Sequence, residues 1–182
     1  PERGMIAPFP IPAWFGNFWV ALFGLLIGSF LNVVIARLPY HRSLSKPGSH
    51  CPKCRYELRW FDNVPVASYL FLRGKCRACR SSISVRYPVV ELLTSLLFLT
   101  VALRFGLTPL LVIRDLPFVA ILIAITFIDL DTRLIPDRLS IGGLAVCLGT
   151  AHFTPGLGIG AAVGGAVVGF GLFYAIAWYY QW

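Results

Sequence analysis

FGNFWVALFGLLIGSFLNVVIARL occupies positions 15–38. The run carries no charge before Arg37. As a helix it would rise about 36 Å, enough to cross a hydrocarbon core of about 30 Å. Pro10 and Pro12 precede it, and Trp14 and Trp19 suit the aromatic belt at a membrane surface. Arg37 ends the apolar run and can reach the headgroups, and Pro39 keeps the helix from continuing unchanged. The stretch reads as a transmembrane helix.

Working outward, four further apolar runs follow, at 88–104, 116–130, 139–153 and 157–182. With 57% hydrophobic and 13% charged residues, the chain departs too far from soluble composition for these to be core helices. The predicted fold class is all-α: a polytopic transmembrane helical protein with a small polar module, residues 39–87, between the first two spans. Arg104 and Gly106 stop the second span, and Thr154-Pro155-Gly156 breaks the chain before the last. The last span carries Gly160, Gly164, Gly165 and Gly169, whose spacing predicts close helix packing. Residues 1–14 read as an N-terminal segment outside the membrane. No cleavable signal is visible, and Pro1-Glu2-Arg3-Gly4 is not a natural start.

The net charge of +8 could suggest nucleic acid, but its location decides otherwise. Eleven of the sixteen Lys and Arg residues lie between Arg37 and Arg86, against two acids, Glu57 and Asp62. That is a basic loop between apolar spans, which the positive-inside bias places in the cytoplasm. The partner is therefore expected to be membrane lipid and no nucleic acid. Counting spans from an external N-terminus puts the Asp131–Arg138 turn on the cytoplasmic side too, and the 104–115 link outside.

Inside the basic module stand Cys51-Pro-Lys-Cys54 and Cys76-Arg-Ala-Cys79, with 21 residues between the pairs. Paired CxxC turns supply four thiolates at tetrahedral distance for structural Zn²⁺, and a module this poor in apolar residues needs such a staple. Lys53, Arg55, Lys75, Arg77 and Arg80 flank the sulfurs and favour the thiolate form. Disulfides fit a reducing cytoplasm poorly. Cys147 stands alone in a span and reads as packing.

The third span ends Phe127-Ile128-Asp129-Leu130-Asp131-Thr132-Arg133-Leu134-Ile135-Pro136-Asp137. A carboxylate at the end of a long apolar run is costly, which makes Asp129 a functional candidate. Asp131 and Asp137 can instead cap helices or face water. Aspartic proteolysis needs two carboxyls sharing a proton. Asp129 and Asp131 point to roughly opposite helix faces, and Asp137 lies on the order of 12 Å further along a regular helix. A second carboxylate from another helix is required, yet no Asp or Glu occurs from Arg138 to Trp182. Asn32, polar within the first span, is either a helix–helix hydrogen bond or a contact to substrate or cofactor.

Four segments in order now carry a resemblance: Gly28-Ser-Phe-Leu-Asn32-Val-Val with Arg37-Leu-Pro39, the two CxxC pairs, Arg86-Tyr-Pro-Val-Val-Glu91-Leu-Leu, and Ile128-Asp-Leu-Asp131 to Ile135-Pro-Asp137. Together they cover about residues 24–140, and the chain resembles the bacterial type IV prepilin peptidases, membrane aspartic proteases of the GxGD type. The resemblance implies a multi-pass protein of the bacterial inner membrane that cleaves the basic leader of type IV prepilins or pseudopilins after glycine. It also implies N-methylation of the new N-terminus from S-adenosylmethionine. By the family's pattern Asp129 is the first catalytic aspartate, and the resemblance adds a methyltransferase role for Glu91. Asp131 and Asp137 read as supporting residues that position substrate or cap helices, and Arg86 with Glu91 brackets the entry of the second span as the cofactor-binding pair. The second aspartate would sit in a Gly-x-Gly-Asp motif on the next helix. The sequence stops at Trp182 before that position, so residues 1–182 alone are not expected to be proteolytically competent. The competing readings are a non-enzymatic membrane scaffold whose zinc module docks a cytoplasmic partner, and an ion or proton carrier using Asp129.

Overall fold

The computed structural model describes residues 12–154, 156 and 158–181. The expected entry through Pro10, nearly all of the N-terminal segment, the break at Pro155, the start of the last span at residue 157 and the stop at Trp182 lie outside these residues.

Helix α1 (Ala13–Arg37) begins directly after Pro12, and its last residue, Arg37, gives way to a short 3₁₀ turn, Leu38–Tyr40. Helix α3 (Arg86–Phe105) starts two residues earlier than the sequence suggests. Pro88 falls in its first turn, where the missing N–H would have had no helical partner anyway. Helix α4 (Leu116–Thr132) is preceded by a turn of π-helix, Leu111–Asp115, so the third apolar helical run extends from Leu111 to Thr132. Arg114 and Asp115 can join it because their side chains pair at 2.7 Å. Helix α5 is Asp137–Ala151 and helix α6 is Ile159–Gln181.

Among the described residues four helical runs are long and apolar enough to cross a membrane: Ala13–Tyr40, Arg86–Phe105, Leu111–Thr132 and Ile159–Tyr180. They mark an all-α, multi-pass membrane protein. The fourth expected span appears as the 15-residue α5, whose rise of about 22 Å falls short of a typical hydrocarbon core. The polar module holds one short helix, α2 (Ala67–Phe71), a 3₁₀ turn at Trp60–Asn63 and two isolated bridges, His50 with Glu57 and Lys75 with Ser82.

Lipid is as apolar as leucine, so burial alone does not hold such helices together; close packing and polar contacts must. Leu31, Val34, Ile35, Val90, Ile123, Ala124 and Ile128 interlock where α1, α3 and α4 meet. The closest approach is between α1 and α3. A Cβ on Gly24 would stand 2.6 Å from the Ser95 Cα, and one on Gly28 2.6 Å from the Glu91 Cα. Ser95 Oγ donates to the Ala21 carbonyl at 2.8 Å, and Asn32 Nδ2 donates to the Tyr87 carbonyl at 3.1 Å. Asn32 is thus the helix–helix hydrogen bond that its position allowed.

The packing glycines are therefore on α1. Among the described residues nothing lies within 4 Å of a Cβ built on Gly160, Gly164, Gly165 or Gly169, so the expected close packing of those glycines is not formed there. The reason is local: α6 is exposed along nearly its whole length, and no described helix covers that face.

Gly28→Leu should destabilise the α1–α3 pair by about 1–3 kcal/mol or more, because the obstructing atoms are backbone and cannot swing away. Gly143→Ala is the control, since its Cβ would meet the Ile121 side chain at an ordinary 3.6 Å. Thermal unfolding of both variants in detergent micelles checks the difference.

Candidate active site and metal centre

The C-terminal end of α1, the N-terminal end of α3, the C-terminal end of α4 and the polar module meet at one side of the bundle. Arg37 Nη1 donates to the Ser43 carbonyl of the module at 3.0 Å, and Asn32 reaches the first turn of α3. The opposite side is closed by Arg114, whose Nη1 donates to Thr154 Oγ1 beside its pairing with Asp115.

In the module, each CxxC forms the same knuckle. The N–H of Cys51 bonds the Tyr56 carbonyl and the N–H of Arg55 the Cys51 carbonyl. Cys76 with Ser81, and Arg80 with Cys76, repeat that pattern. Arg55 and Arg80 take the same left-handed conformation, both at φ 58°. The four sulfurs of Cys51, Cys54, Cys76 and Cys79 lie within 4.8 Å of one another, with Cys51–Cys79 at 3.8 Å and Cys54–Cys76 at 3.9 Å. Tetrahedral zinc with Zn–S bonds of about 2.3 Å requires sulfur–sulfur edges of about 3.8 Å. The set fits: it can hold a metal ion such as zinc.

The source of thiolate character differs from the expectation. Backbone N–H groups of Cys54 and Lys53 bring the Cys51 thiol down to about 6, ahead of opposition from burial. The Ser81 hydroxyl and N–H lower Cys79. For Cys54 the Tyr56 N–H pulls downward, but burial and the other three sulfurs outweigh it and push the thiol up to about 11. The knuckle backbone and Ser81, more than the flanking Lys and Arg charges, set the thiol acidities. Zinc binding releases whatever thiol proton remains.

Asp62 is a residue that sequence reasoning noted only as an acid in a basic loop. Its carboxylate is buried and accepts from Arg77 Nε at 2.7 Å, the Tyr56 hydroxyl at 3.2 Å and the Arg59 N–H at 3.3 Å. Burial alone would raise its pKa, but the Arg77 hydrogen bond, with those from Arg59 and Tyr56, holds it below the usual carboxylate range. A depressed folded-state pKa stabilises the module above the ordinary value near 4, and this stability is lost as pH falls through the folded value. Asp62→Asn should therefore cost the module about 1–3 kcal/mol at neutral pH. The deficit should shrink toward zero in acid. Comparing variant with parent cancels the acid loss of zinc thiolates common to both, and amide exchange of residues 50–83 against pH reads it.

Glu91 and Arg86, five residues apart on α3, face different neighbours. The Glu91 carboxylate is buried and accepts from the Val66 N–H of the module at 2.7 Å. Val66 does so from φ 58°, a conformation that costs a β-branched residue energy and is held by its surroundings. Arg86 turns to α4. Its Nη1 donates to both oxygens of Asp131 at 2.6 and 2.7 Å, its Nη2 donates to the Phe127 carbonyl at 3.0 Å, and its guanidinium lies 5.1 Å from the Phe127 ring centre. A cation at a helix C-terminus is also favoured by the helix dipole.

Asp129 lies between the two α4 residues that Arg86 holds. It is exposed, and its carboxylate makes no hydrogen bond or ion pair among the described residues. Asp137 opens α5 as its first residue, where a negative charge suits the dipole. The structure thus separates the three aspartates: Asp131 is neutralised by Arg86, Asp137 sits at a helix start, and Asp129 is left unengaged. A cleft of about 450 Å³ opens between α1, α3 and the module, bordered by Ser29, Asn32, Arg37, Tyr69, Tyr87 and Glu91 among others and by no residue of α4.

Comparison with known proteins gives the same chemistry a family. Residues 22–105 match the bacterial peptidase A24 N-terminal domain, and residues 116–181 match the type IV leader peptidase family. The chain is 48% identical to a prepilin leader peptidase/N-methyltransferase of Myxococcus xanthus, over 85% of this chain and 48% of that protein. It is 36% identical to the protein of that name from Neisseria gonorrhoeae, over 99% of this chain and 69% of that protein. A type 4 prepilin-like proteins leader peptide-processing enzyme of Escherichia coli is 41% identical over 85% of this chain and 64% of that protein. The chain spans about half the length of the first relative and about two thirds of the other two. No solved structure gives a significant match. On the strength of both matched segments and of these relatives, the chain belongs to the type IV leader peptidase family.

Proposed function

We propose that the protein to which this chain belongs is a membrane aspartic endopeptidase that removes the basic leader of type IV prepilins or pseudopilins after glycine and then methylates the new N-terminus. The observation that carries the reading is the unengaged Asp129 carboxylate at the end of an apolar helix, beside an Asp131 already neutralised by Arg86. With Asp131 compensated, Asp129 is free to share a proton with a second carboxyl from another helix, one group taking the proton of the attacking water and the other protonating the leaving amine. Asp137 and Asp131 then support the helix ends around the reacting carboxyl.

The methyl donor, S-adenosylmethionine, is assigned to the cleft between α1, α3 and the module, where Glu91 lies beside Arg37, Tyr69 and Tyr87. When bound it supplies an electrophilic methyl group. Glu91, held by the Val66 N–H and the Ser29 hydroxyl, supplies a carboxylate for a hydroxyl or ammonium, and the tyrosines supply flat apolar faces. Arg86, engaged on α4, serves the cofactor indirectly, by fixing the start of the helix that carries Glu91. The concentration of Lys and Arg in the module supports a bacterial inner-membrane location with the four-cysteine module in the cytoplasm. The expected boundaries, 15–38, 39–87, 88–104, 116–130, 139–153 and 157–182, remain the proposed division into spans and module. Membrane lipid and the leader peptide are the proposed partners, with no nucleic acid.

The test is the complete gene product, reconstituted with a prepilin and S-adenosylmethionine and followed by mass spectrometry. The expected product is mature pilin plus one methyl group. Glu91→Gln should lower methylation at least tenfold while cleavage continues, and intact prepilin after prolonged incubation with the parent protein would overturn the reading.

A further inference from the structure

We infer that the segment Asn63–Leu72 of the polar module is seated in the membrane interface, with Leu70 and Phe71 against lipid. The depth follows from one contact. Glu91 lies five residues into α3, the membrane-length apolar helix that starts at Arg86, so it sits about 7.5 Å along the axis from that charged end. The Val66 N–H bonds the Glu91 carboxylate at 2.7 Å, which brings the start of α2 to the same level. The module therefore does not stand clear of the membrane. One edge of it dips below the plane marked by Arg86 and Asp131.

The side chains on that edge divide accordingly. Ser68, Tyr69 and Leu72 border the cleft toward α1 and α3. Leu70 and Phe71 are 66% and 88% exposed, values that in water would leave two large apolar groups uncovered next to each other. At the same depth α3 exposes Val89 and Leu92, which as part of a membrane span face acyl chains. Arg73 and Lys75 follow directly and are exposed, matching the anionic headgroups just above. An apolar turn 5–10 Å into the headgroup–acyl boundary with cations behind it is the usual pattern of an interfacial segment. The Glu91–Val66 bond gains a purpose in this placement, because it satisfies a backbone N–H at a depth where water is scarce. Nothing here depends on a catalytic role for any residue.

The complete gene product in nanodiscs of phosphatidylethanolamine and phosphatidylglycerol tests it. A photo-crosslinking benzoylphenylalanine is placed at Phe71 and, as a water-facing control, at Lys53 in the first knuckle. Lipid adducts after irradiation should be at least tenfold more abundant at position 71 than at 53. Equal yields, no lipid adduct at 71, or crosslinks from 71 to a second protein copy would each overturn the placement. If the bulky label costs the module its zinc, Phe71→Trp replaces it. Bromines on the lipid acyl chains should then quench the added fluorescence at least twofold, and an unquenched signal overturns the placement.

Discussion

Asp129→Asn in the complete gene product should abolish leader cleavage, a loss of at least about 10²–10⁴-fold if only proton transfer is removed. Asparagine nearly matches aspartate in shape but cannot exchange a proton, so the fold should survive while the acid–base cycle stops. The structure gives the substitution little else to disturb, since the Asp129 carboxylate has no hydrogen-bond partner among the described residues. Asp131→Asn and Asp137→Asn should each leave measurable activity. Asp131→Asn loses an ion pair that is partly solvated on both sides, and such pairs contribute up to about 1 kcal/mol. Cleavage of a prepilin in membranes at matched expression is the measurement. Full activity in Asp129→Asn together with loss in Asp131→Asn would show that the wrong carboxylate had been chosen.

The second large effect is expected at the metal centre. Cys76→Ser removes a buried ligand from a set in which all four sulfurs lie within 4.8 Å. Structural zinc contributes an apparent 10–16 kcal/mol of binding free energy in small modules that are otherwise unfolded. This module has a 3₁₀ turn, one five-residue helix and two isolated bridges besides its knuckles, too little to persist without the metal. Zinc should fall from one per chain to near none, residues 41–85 should become open to protease, and the cleft that depends on Tyr69 and Val66 should be lost with its methylation. Cleavage should fall less, because α4 packs on α1 and α3 through Ile123, Ala124 and Ile128 independently of the module. Elemental analysis of the parent protein finding no zinc, with its module thiols freely alkylated, would refute the site itself.

Legible in the sequence is what depends on composition or on fixed spacing. Apolar runs reveal membrane-length helices because lipid leaves the backbone no other option, and two CxxC turns reveal four sulfurs close enough together to hold a metal ion such as zinc. Pairings between distant elements could not be read. Arg86 and Glu91 look alike as a bracket around a helix start, yet one turns to α4 and the other to the module. Asp62 looked like a stray acid until Arg77, Tyr56 and Arg59 converged on it. Glycines spaced four apart occur on both α1 and α6. Only tertiary structure shows that Gly24 and Gly28 are covered by α3 whereas those of α6 are not, since the pattern states that a close approach is possible and not which helix makes it.

The backbone contact at Gly24 and Gly28 has a mechanical consequence. With main chain against main chain there is no side chain to flex, so α1 and α3 move as one strut. The two stems of the four-cysteine module rise from the adjoining ends of that strut, tied by the Asn32–Tyr87 hydrogen bond. The module is thus carried on a stiff mast and cannot swing as a lid. The link from α4 to α5 is built differently: Arg133 takes a left-handed turn and the chain from Leu134 to Pro136 is free of helix. Among the described residues the break in helix thus falls at that link, on the same side of the bundle as the four-cysteine module.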